Sequence, residues 1–561
     1  MSSKNTNDTG NKKEPFFKKW APVFVLSLAL AIILIDATLL NVSLATLVKD
    51  FNTDIQSLQW VITAYSLTIA ALTITGGRLG DLFGRKKMFV IGAALFAAGS
   101  FIASISQDVG TMILGESIIE GIGAALMMPA TSSLLVSKYR GKDRSIAFGI
   151  WGGVAAASTA IGPLLGGFLT TYYSWRWGFR INVVIAALLI LGSFIIKDYR
   201  EKEEKPQLDF VGVILSALGM FMAIYGIIES STYGWWTAKS AWSIFGKNID
   251  LWGNLSITPY ALALGILTLI GFLFWEKRIE KTGRTPLVSL HLFSNRPYIS
   301  GVTTSSIFAL GQAGLIFSIP VFLQSVRGAS AFDTGLAMLP MSITALIMAP
   351  VGGILSHKVS PKRLVQVGLA AFVSAYAIVY LSLNVDTTVA DLTWPFIIMG
   401  FGMGTMMASI SNLTLSAVSH EQAGEASGVN NTLRQVGSTL GTAIIGAVML
   451  TAVSTNLVNG ISNSTVIPDK LKQTVITEIS KQSSNIEFGG GAQVPATIPA
   501  AIKSEINKVG YESIADANKE ALGYAIIFGI AGLISTLWLP SGTNVEFEKS
   551  LASQKTSKGN K

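Results

Sequence analysis

The chain has 561 residues, of which half are hydrophobic and only 13% charged, with a mean hydropathy of +0.52. Soluble domains carry about a quarter charged residues, so composition excludes an ordinary globular protein and indicates a polytopic membrane protein. The net charge of +9 does not indicate a nucleic-acid binder, because Lys and Arg lie in short loops between apolar runs, where anionic lipid headgroups are the counter-charge. Cys is absent, which removes disulfides, thiolate chemistry and Cys-based metal sites.

A helix crossing about 30 Å of hydrocarbon needs roughly 20 apolar residues. Fourteen runs meet that length: 21–44, 58–78, 88–106, 111–136, 145–170, 178–197, 208–229, 257–276, 298–322, 334–356, 364–384, 392–416, 430–453 and 521–540. The first follows Lys12, Lys13, Lys18 and Lys19 like a secretory leader, but it is too long, contains Asp36 and lacks a small-residue cleavage site, so it is read as a retained helix. An even number of spans puts both termini on one side. The loops of that side hold the bases of 85–87, 138–144, 197–205, 277–284 and 358–363, whereas the opposite loops hold few, such as Lys49 and Arg327. The positive-inside rule then predicts cytoplasmic termini.

Three segments interrupt the spans. Residues 230–256 carry Trp235, Trp236, Trp242 and Trp252 and suit an interfacial aromatic belt. Residues 277–297 form a basic connector. Residues 454–520 form a polar outer loop with Gly489, Gly490 and Gly491 and two helical stretches around 467–483 and 499–520; a loop this long is a passive insertion or a functional cap.

The turn after the second span reads Gly77-Arg78-Leu79-Gly80-Asp81-Leu82-Phe83-Gly84-Arg85-Lys86-Lys87. Its glycines allow tight turning and close helix approach. Asp81 can cap a helix N-terminus, and Arg85 can meet an acid or a helix C-terminus. Gly353, Leu355 and His357, with Lys362 and Arg363, echo this turn after the tenth span, the mark of a repeated bundle. The fifth span holds Gly152-Gly153 and then Gly162-Pro163-Leu164-Leu165-Gly166-Gly167, where proline removes a backbone donor and glycines permit bending.

Acids inside spans are the other informative class. Asp36 lies in the outer half of the first span, and Glu116 and Glu120, four apart in the fourth, share a helix face. An ionised group at mid-bilayer costs roughly 2.5–3.5 kcal/mol on insertion scales, so such residues mark function or a specific ion pair. Arg180 falls at a similar depth. The four are read as one electrostatic cluster in which Glu116 or Glu120 shares proton coupling with Asp36. In the second half of the chain, Phe308, Gln312, Asn412 and Asn430 are candidate cavity residues, and Phe317, Met338, Met341, Met403, Met406 and Met407 are candidates for an adaptable apolar pocket.

The ordered Gly-x-Leu-x-Asp-x-x-Gly-Arg-Lys turn resembles the signature loop of the major facilitator superfamily, in which Gly77, Asp81, Gly84, Arg85 and Lys86 would form the cytoplasmic gate. Gly153, Gly162, Pro163, Gly166 and Gly167 resemble its antiporter motif. Asp36-Ala37-Thr38-Leu39-Leu40-Asn41-Val42 resembles the Asp-x-Thr-x-x-Asn-Val signature of its fourteen-helix drug:proton antiporter branch, with Ala45 where a proline is usual. Trp60-Val61-x-Thr63-Ala64-Tyr65, Trp175-Arg176-Trp177-x-Phe179-x-Ile181-Asn182 and Gly424-x-Ala426-Ser427-Gly428-x-Asn430-Asn431-Thr432-x-Arg434-Gln435 are similar to that branch too, and add Asn41, Tyr65 and Arg434 to the cavity candidates. Four further positions depart: Leu82 replaces a base, Ser117 an arginine, Glu120 a glutamine, and Arg180 an apolar residue.

The resemblance implies an all-α major facilitator fold of two six-helix bundles, residues 21–197 and 298–540, with an inserted pair of helices at 208–276 and cytoplasmic tails at 1–20 and 541–561. It implies a proton-coupled antiporter in a bacterial cell membrane that exports lipophilic compounds, cationic if the acids line the cavity. Such a protein would act as a monomer, with small lipophilic substrates and membrane lipids as its partners and the proton as its coupling ion. Export of a native lipid or secreted metabolite is the alternative within transport. A receptor or assembly partner using 454–520 is the alternative outside it. No phosphate-binding loop occurs, His291, His357 and His420 lack metal-ligand spacing, and no serine elbow or zinc motif appears, so no cofactor, metal or enzymatic activity is expected.

Overall fold

The computed structural model describes residues 16–53, 55–197, 208–239, 242–244, 247–249, 254–356, 358–419, 422–469, 471–473, 475–476 and 500–542. Its long helices are α1 (Phe16–Phe51), α2 (Ile55–Phe83), α3 (Arg85–Ile105), α4 (Val109–Lys138), α5 (Gly141–Tyr172), α6 (Arg176–Gly192) and α7 (Phe210–Tyr233). They continue with α8 (Ile257–Lys281), α9 (Arg296–Ser325), α10 (Ala331–Leu355), α11 (Pro361–Ser382), α12 (Val389–Ser416), α13 (Ala423–Asn463) and α14 (Ala500–Ser535). Each is long and apolar enough to cross a membrane, counting the bent α5 as one span. Leu188, Leu191 and Phe194 near the end of α6, Ile214 on α7, and Leu267 and Phe274 on α8 are exposed, as a lipid-facing surface requires. With the backbone bonded within each helix, no unsatisfied polar ladder faces hydrocarbon.

Helices α1–α6 pack into one bundle and α9–α14 into another, while α7 and α8 pair with each other. Through α7 the inserted pair also touches α2 and α13, at the seam between the bundles. The bundles meet mainly along α5–α10 and α2–α13. The first contact runs the length of both helices: a side chain at Gly353 would strike Ser145, one at Gly149 or Gly153 would strike the Leu346–Pro350 turn, and one at Gly335 would strike Leu164. Phe168 and Phe332 meet at its far end, with ring centroids 6.5 Å apart. Small residues let the backbones touch here, which substitutes for the hydrophobic driving force that lipid removes. The same device joins α3 to α4, where Gly92 and Gly99 face Gly123 and Gly115.

The halves are closed at the end that carries the Arg85–Lys87 turn, the basic end. Gly77 of α2 lies against Gly424 and Gly428 of α13. Ser133 Oγ of α4 donates to the Ala423 carbonyl at 3.2 Å, Ser132 and Ser427 share a hydrogen bond, and Asn412 Nδ2 of α12 donates to Ser145 Oγ of α5 at 3.2 Å.

Three features depart from the sequence expectation. Within α4, Ile113–Glu120 is a π-helix; the wider turn still leaves Glu116 and Glu120 on one buried face. The last two long helices are far longer than their apolar runs: α13 has 41 residues and α14 has 36, about 60 and 54 Å at 1.5 Å per residue. Their far ends build a satellite core from Leu457, Ile461, Ile502, Ile506 and Val509, joined by Ile467 and Val475 of the segment between them. Much of the expected outer loop is therefore helix continuing out of the membrane, and 477–499 lies outside the described residues. Within 230–256, the strands β1 (Trp242–Ile244) and β2 (Lys247–Ile249) form an antiparallel pair. Trp242 Nε1 donates to Tyr225 Oη of α7 at 3.0 Å; Trp252 lies outside the described residues, as do His357 and His420.

The chain's lack of Cys makes the closed end directly testable. Ser132→Cys/Ser427→Cys is expected to cross-link almost completely under mild oxidation, read as a mobility shift. Adding Gly77→Leu is expected to reduce the yield several-fold by pushing α13 away.

Candidate functional site

Burial and side-chain chemistry converge where α1, α4 and α6 meet. Asp36 and Glu116 are each 1% exposed and Glu120 is 0% exposed. Asn182 of α6 bridges two of them: its Nδ2 donates to Asp36 Oδ1 at 2.6 Å and to Glu120 Oε1 at 3.3 Å. The second oxygens of Asp36, Glu116 and Glu120, and the Tyr65 hydroxyl of α2, are buried without a hydrogen-bond partner among the described residues. Tyr65 is near enough to feel the charge of all three acids. Buried polar atoms left unpaired are costly and rare. A group of four gathered around three carboxyls is a place where protons can be bound and passed.

Local sequence explains how the acids come together. Gly99 of α3 admits the π segment, since a side chain there would strike Gly115 and Glu120. Ser117, standing where the resembled family has arginine, donates instead to the Val61 carbonyl of α2 at 2.7 Å. On the other side, α5 bends by 42° between Gly141–Ser158 and Ile161–Tyr172. Pro163 has no N–H for the carbonyl four residues earlier, which accounts for the bend. Beyond it, α5 lies on the acid-bearing turn of α1: side chains at Gly162 and Gly166 would strike Thr38 and Leu39. Gly167 is also buried.

Arg180 does not join this cluster. It is exposed, with its guanidinium 5.3 Å from the Trp177 ring centroid. Depth along a helix is legible in sequence, but the direction of a side chain at a helix end is not, and a long base turns outward to water or headgroups. In the sequence Asn182 stands out only as part of a motif, yet its amide joins two of the acids of the site.

The basic end forms a second constellation. Asp81 accepts from the backbone N–H groups of Gly424 at 3.2 Å and Glu425 at 2.8 Å, at the start of α13. There it meets unpaired amides and the positive end of the helix dipole. Arg85 holds the carboxylate from its own side, with Nε at 3.0 Å and Nη2 at 2.8 Å from Asp81 Oδ1, and also donates to Ser133 and Ser137. Gly84 at φ 105° makes the turn that starts α3, a conformation suited to glycine. Lys86 lies 6.0 Å from the Phe194 ring, and Leu82 is buried. A latch not anticipated from sequence adjoins this gate. The successive amides of residues 287–290 all donate to glutamates: Leu287 and Val288 to Glu276 at 2.9 and 3.4 Å, Ser289 to Glu425, and Leu290 to Glu280 at 2.8 Å. Glu425 also lies 4.0 Å from Arg78.

The second bundle offers less. Phe308, Met338, Met341, Met403, Met406 and Met407 are packed in its core rather than lining an open pocket; Phe308 contacts Phe372 at 5.0 Å between ring centroids. Asn412 is spent on Ser145, and Asn430 accepts from Ser305 Oγ at 3.1 Å. Gln312 is half-buried, with its amide 3.9 Å from the Met403 sulfur. Arg434 of α13 is half-buried. The side chains of Asn41 and Phe317 lie outside the described residues.

Comparison with known proteins gives one pattern. A family model described as Major Facilitator Superfamily matches residues 26–442. The tetracenomycin C resistance and export protein of Streptomyces glaucescens is 27% identical, over 92% of this chain and 90% of its own length. The puromycin resistance protein of Streptomyces alboniger is 29% identical over 78% and 84%, and the multidrug efflux pump LfrA of Mycolicibacterium smegmatis 27% over 87% and 90%. Among solved structures, the proton:xylose symporter XylE aligns with a TM-score of 0.54 over 94% of this chain and 96% of its own, at 12% identity. The human organic anion transporter MFSD10 aligns with a TM-score of 0.54 over 77% and 93%, at 14% identity.

The Asn182 bridge can be weighed by calorimetry or thermal unfolding. Asn182→Leu leaves two buried carboxyls without their donor and is expected to destabilise the protein by about 1–3 kcal/mol. Combined with Glu120→Leu, the loss should be smaller than the sum of the two single effects, because the stranded acceptor is removed as well.

Proposed function

The chain belongs to the Major Facilitator Superfamily of membrane transporters, and from that premise we propose that it is a proton-coupled antiporter that exports lipophilic toxic compounds by alternating access. The observation that carries this reading is the water-excluded group of Asp36, Glu116, Glu120 and Asn182, packed against the bent half of α5. The export direction is supported by the relatives, three of which are named for resistance, export or efflux. The positive-inside rule supports cytoplasmic termini, and on that orientation the closed end faces inward, so this conformation is taken as the inward-closed state. The protein works as a monomer in the cell membrane, its two bundles supplying both sides of the pathway.

The cycle follows from the geometry. A proton reaching the acids from outside neutralises a carboxyl and removes repulsion between neighbours, which frees α1 and α5 to shift. Helix α5 carries that shift to α10, and the Asp81 bonds to Gly424 and Glu425 break as α2 and α13 part at the inner face. Substrate enters, the proton leaves inward, and the bonds re-form. A 100 mV potential supplies about 2.3 kcal/mol per charge moved, roughly fifty-fold accumulation. The acids are at most 1% exposed here. They do not line an open cavity in this conformation, so they give no reason to restrict the substrate to cations.

Glu120→Gln keeps the Asn182 contact but cannot take up a proton. It is expected to abolish protonophore-sensitive efflux while the protein remains expressed and monodisperse. Wild-type efflux rates from that variant would remove Glu120 from the coupling step.

A further inference from the structure

We propose that Arg434 is the substrate-anchoring residue of the second bundle, and that it selects lipophilic compounds bearing an oxygen anion: a carboxylate, sulfonate or phenolate on an aromatic body. The proposal rests on the export reading above and names the substrate class for it.

The argument begins with position. Arg434 lies about three turns into α13 from the closed end, at mid-span. Residues seven apart share a helix face, so Arg434 presents on the same side as Ser427. That serine touches Ser132 of α4 in the opposite bundle. Asn430, between them, bonds to Ser305 of α9. This side of α13 therefore faces the space between the bundles, and Arg434 stands above the shut gate.

Burial and pairing come next. The residue is half-buried in the middle of a membrane-crossing helix, so part of its side chain is reachable from the space that this face of α13 borders. Among the described residues it makes no hydrogen bond, ion pair or ring contact, and no carboxylate pairs with it. A guanidinium cannot shed its charge in a protein. Bases within a span pair with a partner or face a water-filled cavity, and snorkelling serves only those near helix ends. Arg434 has neither the described partner nor the terminal position, which leaves the cavity.

Selectivity follows from contrast. Asp36, Glu116 and Glu120 are sealed at 0–1% exposure, while Arg434 is only half-buried. Of these four charged groups, the one with reachable surface in this conformation is the base. Its planar fork matches oxygen anions in two-pronged geometry, and an inside-negative potential favours the exit of an anion.

Two xanthene dyes of opposite charge test the idea: fluorescein and rhodamine 6G, titrated against the purified full-length protein in nanodiscs by fluorescence anisotropy. Wild type is expected to bind fluorescein at least ten-fold more tightly than rhodamine 6G. Arg434→Gln should weaken fluorescein about ten- to hundred-fold and leave rhodamine 6G unchanged, with Arg434→Lys between. Absent fluorescein binding, tighter rhodamine 6G binding, or equal weakening of both dyes by Arg434→Gln overturns the proposal, the last marking a structural arginine. Efflux from energised cells separates the two readings. Fluorescein binding that depends on Arg434, without protonophore-sensitive efflux, sinks proton-driven export and keeps the anion site. Protonophore-sensitive efflux of rhodamine 6G alone keeps export and sinks the anion site.

Discussion

No water solvates a charge in the middle of a bilayer, and the structure is organised by how it answers that constraint. Three answers appear at three places. At the basic end, Asp81 is enclosed by an arginine and two backbone amides. In the first bundle, Asp36 and Glu120 share one amide and no cation. In the second, Arg434 is half-buried. The first arrangement is satisfied and so is suited to holding a state. The second is short of donors and so is suited to taking up a proton. The third is only half-buried and so is suited to meeting a ligand.

These places communicate because the helices between them touch backbone to backbone. Helix α5 contacts the acid-bearing turn of α1 through Gly162 and Gly166, and contacts α10 through Gly149 and Gly153. A change of a few tenths of an ångström at Asp36 cannot be absorbed where no side chain intervenes, because close-packed interfaces shift as units rather than deforming. The inserted pair adds a second link. Its connector is clasped by Glu276, Glu280 and Glu425, and Glu425 belongs to the helix that Asp81 caps. Separation of α2 from α13 therefore also strains the attachment of α7 and α8.

Much of this was legible in the sequence, for identifiable reasons. The order and centres of the spans follow from apolar runs that only a membrane requires. The bend of α5 follows from Pro163, and the contact between α2 and α13 at the basic end from the spacing of Asp81, Gly84 and Arg85. Other features left no such trace. The π segment depends on Gly99 of a different helix. The outer turns of α13 and α14 are polar, so hydropathy ended those spans too early. The fate of Arg180 depended on side-chain direction, and that of Phe308 and the methionines on which helix face meets the core. The glutamate clasp joins residues far apart in the chain through backbone amides, which no motif encodes.

The separation of Arg434 from the acids bears on mechanism. Were the guanidinium paired with Asp36 or Glu120, the pair would be sealed and each substrate would have to break a buried salt bridge before binding, a cost that rises steeply with burial. With the acids in one bundle and the base in the other, neither neutralises the other. In the proposed cycle the proton and the substrate would act on the same rocking motion from opposite sides, each altering the occupancy of the other by changing which conformation prevails. Linkage of that kind requires differential binding to two states and no direct contact. It tolerates variety in substrate shape, because only the anchoring charge and the conformational change are held in common.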